Sequence, residues 1–112
     1  MSRESQMKMT ELVALVPAAE IEEGGMRQAH LPDGRTLALY NVAGRFYATD
    51  DHCTHGEVSL SEEGSLNGAI VECSWHFGTF DVTTGAALSM PCETPLKTYR
   101  VHVENGIIHV EI

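Results

Sequence analysis

Residues 53–56 read CTHG and residues 73–81 read CSWHFGTFD. Each stretch opens on a cysteine and sets a histidine two or three positions later, Cys53 with His55 and Cys73 with His76. A glycine follows each pair, Gly56 and Gly78, and a residue without Cβ lets backbone come close to a bulky inorganic group. Two thiolates and two imidazoles at these spacings suit two occupants. One is a tetrahedral zinc ion. The other is a two-iron, two-sulfide cluster with cysteines on one iron and histidines on the other. The order of the donors favours the cluster. A zinc finger draws both cysteines from one close pair and both histidines from another, whereas here each stretch supplies one of each. A cluster gripped by two loops needs that order, with cysteine inside and histidine further out. Cys53, His55, Cys73 and His76 are therefore the candidate cofactor-binding and metal-ligating residues. No catalytic residue is predicted, because no nucleophile–base–oxyanion arrangement and no glycine-rich phosphate loop stands in the sequence.

Such loops need a rigid base, and the rest of the chain reads as one. Seventeen residues separate His55 from Cys73, enough for a hairpin to bring the two pairs face to face. Short β-rich runs predict strands over 11–16, 26–31, 36–42, 45–49, 69–72, 78–82, 96–104 and 106–112. Residues 17–21 are predicted as a turn or a single helical turn. Asp33-Gly34, Ala43-Gly44 and Asn105-Gly106 mark tight hairpin turns, where positive φ is needed. Alternation of Tyr99, Val101 and Val103, and of Ile108, Val110 and Ile112, predicts one buried face on each closing strand. Pro91 and Pro95 mark irregular chain or a sheet edge. No helix of ten residues is predicted, and residues 50–68 read as a loop carrying polar and ligand-type side chains. The fold class is all-β and antiparallel, in a single domain spanning 1–112.

The chain has 112 residues, 43% hydrophobic and 21% charged, which suits one folded domain without disulfides. Its formal net charge of −9 disfavours nucleic acid and anionic membrane as partners, since both need basic patches. The start lacks a signal-peptide pattern, and no apolar run approaches a membrane span. A cytoplasmic location is expected, where paired thiols read as metal ligands rather than a disulfide.

CTHG followed by CSWHFGTFD resembles the Rieske iron–sulfur signature, C-x-H-x(15–17)-C-x2-H. The likeness extends through FYATDDHCTHGEVSL, FDVTTGAAL and PCETPLKTYRVHVENGIIHVEI, nearly the whole chain. It implies a Rieske fold: a sandwich- or barrel-like β base carrying a small cluster-binding subdomain of two hairpin loops, at about residues 50–86. It also implies one [2Fe-2S] cluster per chain, with Cys53 and Cys73 on the buried iron and His55 and His76 on the outer one. The chain is most similar to the small Rieske ferredoxins of bacterial aromatic-ring-hydroxylating dioxygenases. The resemblance therefore implies a monomeric one-electron carrier with no catalytic activity of its own. It would take electrons from an NAD(P)H-dependent flavoprotein ferredoxin reductase and pass them to a terminal oxygenase carrying its own Rieske cluster and non-haem iron. An alternative is a Rieske-type small subunit of an assimilatory nitrite reductase or another oxidoreductase. Many such subunits have lost the ligands, and all four stand here. A third reading is a zinc-stabilised binding module.

Departures from the wider family set an expected potential. Rieske proteins of quinol-oxidising complexes carry an extra cysteine beside each ligand pair, joined as a disulfide, and neither loop here has one. They also place a serine two residues after the second histidine and a tyrosine four after, whose hydroxyls stabilise the reduced cluster. Gly78 and Phe80 stand at those positions and donate nothing from their side chains. With the acidic background, this predicts a potential near the low end of the Rieske range, on the order of −150 mV.

Other residues read more plainly. Trp75 and Phe77 either pack beneath the loops or shield the cluster and offer a docking patch. Cys92 reads as a small hydrophobe, His52 as a structural hydrogen-bonding residue, and His30, His102 and His109 as exposed. Asp50, Asp51, Glu57, Glu62 and Glu63 read first as solvated loop charge and second as an acidic rim for a basic partner.

Overall fold

Strand β3 (Thr36–Val42) organises the chain. Its run TLALYNV does not alternate, and its five central residues are all buried, the pattern of a strand covered on both faces. Leu37 and Leu39 face one core, together with Ala29, Ala48, Ile108 and Val110. Ala38 and Tyr40 face the other, together with Val58, Val71, Phe80 and the two candidate cysteines, Cys53 and Cys73. One strand thus divides a base from a second layer that carries the site.

The computed structural model describes residues 11–54, 58–74, 78–90 and 94–112. Among these, three antiparallel sheets form. The first runs in the order β1 (Leu12–Pro17), β11 (Ile107–Glu111), β10 (Val101–Glu104). The second runs β2 (Met26–His30), β3, β4 (Arg45–Asp50), β9 (Thr98–Tyr99). These two sheets enclose the base core. The third runs β5 (Ser65–Asn67), β6 (Ile70–Glu72), β7 (Thr79–Asp81), β8 (Ala87–Ser89), and its Val71 and Phe80 pack towards Tyr40. The all-β antiparallel expectation holds. No helix among the described residues is long and apolar enough to cross a membrane.

Several predicted boundaries change. Residues 96–104 are two strands in different sheets. β9 pairs with β4 and β10 with β11, and the chain changes sheets at Arg100. β10 is an edge strand, so Val103 is exposed and not buried as its alternation suggested; alternation assigns faces without saying which face is covered. Residues 50–68 hold more than loop. Ser59 caps a one-turn helix, Leu60–Glu63, by accepting from the Glu62 N–H at 3.3 Å, and β5 follows. β8 was not predicted. The turn at 17–21 is a 3-10 turn, Ala18–Glu20.

Candidate metal centre

The two candidate loops hang from equivalent rungs. An antiparallel bridge joins His52 to Ser59 at the first, and β6 pairs Glu72 with Thr79 at the second. In each case the residue after the rung is the cysteine. Its N–H donates across the neck to a carbonyl five residues on, Cys53 to Val58 at 2.9 Å and Cys73 to Gly78 at 2.8 Å. The two necks are built alike although nothing else in the sequence repeats. Both cysteines are fully buried, in one core with Val58, Leu60, Val71 and Phe80. His55, Glu57, Trp75, His76, Phe77 and Cys92 lie outside the described residues.

The base of the first loop is pinned from inside. Asp51 is buried, not a rim charge. Its carboxylate accepts from the Ser59 hydroxyl (2.6 Å), the Ser61 N–H (2.8 Å) and the Gln28 amide (3.0 Å). Its carbonyl accepts the Leu60 N–H at 2.8 Å. Removing any of these donors from water without an acceptor would be costly, so the carboxylate organises the whole turn. Asp50 accepts from the Tyr99 hydroxyl at 2.6 Å, and Arg35 donates to the same phenol oxygen at 3.2 Å. Burial, then the Asp50 carboxylate, pushes the Tyr99 phenol up to about 12. Deeper in, the Thr49 hydroxyl donates to the Asp50 carbonyl, so Tyr40 is the donor in its 2.9 Å contact with Thr49. Burial raises that phenol too.

The remaining candidates divide. Glu62 and Glu63 are exposed, as solvated charge requires, and His30 is exposed. His52 is exposed as well; its backbone bridges Ser59, but among the described residues its ring has no hydrogen-bond partner, against expectation. His102 and His109 are half-buried, His102 against Glu111 and His109 against the Ile107 carbonyl.

Two buried sulfur donors at matched loop necks, with an imidazole two or three residues beyond each, are chemically suited to a cluster ligated by sulfur and nitrogen. A family model described as the Rieske [2Fe-2S] domain matches residues 11–100, a span that takes in both necks. The chain belongs to the Rieske [2Fe-2S] domain family. Among its relatives, the ferredoxin component of the p-cumate 2,3-dioxygenase system of Pseudomonas putida is 54% identical over 104 residues, 93% of this chain and 88% of that protein. The ferredoxin of Sphingomonas yanoikuyae B1 superimposes with a TM-score of 0.86 at 37% identity, covering 91% of this Rieske chain and 99% of that one. A chain from the complex of reduced oxygenase and oxidized ferredoxin in carbazole 1,9a-dioxygenase superimposes at 0.83, with 40% identity over 88% of this chain and 91% of that one. The first of these carries the name of a ferredoxin component, an electron carrier and not a catalyst.

Sequence reasoning missed the inward Asp51 and the Thr54 hydroxyl, which donates to the Thr94 carbonyl at 2.8 Å. It could have found the one-turn helix, since Ser59 and Glu62 form the S-x-x-E pattern of a helix start.

Proposed function

We propose that residues 1–112 form a single Rieske domain whose part at about 50–86 binds one [2Fe-2S] cluster, and that the protein is a one-electron carrier of an aromatic-ring-hydroxylating dioxygenase system. Cys53 and Cys73 would hold the buried iron, His55 and His76 the outer one. When bound, such a cluster takes up and releases one electron at a time. The chain's contribution is to hold the sulfur donors at fixed necks and to keep water from them with Val58, Leu60, Val71 and Phe80. Electrons would enter from an NAD(P)H-dependent flavoprotein ferredoxin reductase and leave to a terminal oxygenase. The carrier acts as a cytoplasmic monomer.

The observation that carries this reading is the pair of matching necks, each placing a cysteine in one buried core. Its 54% identity to a dioxygenase ferredoxin component supports the role, and its likeness to a chain from an oxygenase–ferredoxin complex supports the acceptor. The test is iron and sulfide analysis with electron paramagnetic resonance after dithionite reduction. Two irons per chain and an average g-value below that of an all-cysteine cluster are expected. A colourless, iron-free protein, or transfer between reductase and oxygenase that survives His76→Ala unchanged, would overturn it.

A further inference from the structure

The outer face of the first sheet carries two histidines side by side. β10 and β11 pair His102 directly with His109, and β1 sets Ala14 on the other side of His109. Val101, Ile108 and Val110 turn the opposite way, into the base core, so both imidazoles stand on the solvent side, half-buried. Glu111, two residues past His109, shares that face. No bulky side chain covers His109 from the β1 side, since alanine stands there.

Each ring is held by one nitrogen only. His102 Nε2 meets the Glu111 carboxylate, which only accepts, so Nε2 carries the proton and Nδ1 a lone pair. His109 Nδ1 donates to the Ile107 carbonyl at 3.0 Å, which by the same rule leaves the lone pair on Nε2. Among the described residues neither lone pair has a hydrogen-bond partner. An imidazole whose N–H is tied to a carboxylate or carbonyl is the form that ligates metal. The tie fixes the tautomer and makes the bare nitrogen more basic. Two such rings occupy directly opposed positions here, where Cβ atoms lie about 5 Å apart. That is close enough for both to reach one ion at the roughly 2 Å of a metal–imidazole bond.

We propose that His102 Nδ1 and His109 Nε2 form a bidentate site for a divalent transition metal, with Glu111 orienting His102 through its N–H. Imidazole suits zinc, nickel or copper, whereas magnesium and calcium take oxygen. No three ligating side chains converge among the described residues, so water completes the shell. A bound ion ties the edge strand β10 to β11 on the face away from the base core. The site does not rest on the ligand set proposed at the loop necks.

The experiment titrates zinc chloride into the oxidised holoprotein by calorimetry at about pH 8, where ordinary imidazole is neutral. Nuclear magnetic resonance follows the histidine ring signals. One zinc per chain should bind, move the signals of His102 and His109, and raise the thermal midpoint. His102→Asn and His109→Asn should each abolish this binding. Glu111→Gln should weaken it roughly tenfold to a hundredfold, and His30→Asn, on the second sheet, should leave it as in the wild type. A wild type that takes up no zinc overturns the proposal, as does wild-type affinity in any of the variants at 102, 109 or 111. Where a variant fails to fold, the wild-type signals decide alone: zinc that leaves either ring signal in place overturns the site.

Discussion

Phe80 is fully buried in the core shared by Cys53 and Cys73, at a position where the quinol-oxidising branch carries a tyrosine that donates towards cysteine sulfur. Without that donor the reduced, more negative state of the cluster lacks one stabilising hydrogen bond. Phe80→Tyr should therefore raise the reduction potential above a wild-type value expected on the order of −150 mV. Spectroelectrochemical titration of both proteins checks this, and an unchanged or lower potential in the variant would count against position 80. Tyr99 sets an alkaline limit. Its phenol is raised from 10 to about 12 by burial and by Asp50, so the folded state prefers the neutral form. The stabilisation is complete below pH 10 and is lost as pH rises from 10 to 12. In Tyr99→Phe the decline of unfolding midpoint over that window should be shallower, with Tyr40 supplying what remains. Tyr99 was readable in advance as a core-facing residue, but its partners Asp50 and Arg35 lie 49 and 64 residues away and left no local trace.

Among the elements, the hairpins were the most readable. Asn105 and Gly106 have φ of 53° and 77°, as a two-residue hairpin turn demands, and the dipeptide announces it. The β3–β4 turn is the weaker copy, with Ala43 held at φ 52° where a Cβ is strained. Ala43→Asn should relieve this and stabilise the protein by about 1 kcal/mol, seen as a rise of several degrees in thermal midpoint; no rise would mean that the strain is absorbed elsewhere. The closing strands were less readable. The run 96–104 carries β-forming residues throughout, and nothing local marks Arg100 as the point where the chain leaves one sheet for another. That break exists because Tyr99 pairs with Ala48 while Val101 pairs with Val110.

Charge is distributed unevenly over the whole molecule. Residues 46–96 hold eight acidic residues and no lysine or arginine, while the rest of the chain holds eight acidic residues against seven basic ones. Of the net −9, −8 therefore belongs to the half that carries the proposed ligands. A field this one-sided would steer that half towards a basic partner surface and accelerate encounter. Electron transfer to such a partner should slow as salt is raised through about 0.15 M, where the screening length is about 8 Å. A rate independent of ionic strength in stopped-flow measurements would exclude electrostatic steering.

The amino-acid order alone determined the glycine turns and the all-β class, and it alone carries the proposed pairing of Cys53 with His55 and Cys73 with His76, because each depends on residues within a few positions of one another. Only the tertiary structure decided that β3 separates two cores, that Asp51 turns inward to Gln28, and that Thr54 reaches Thr94. Those contacts join residues 23 to 40 positions apart, and no local pattern encodes which distant strand or carbonyl a side chain will meet once the sheets have packed.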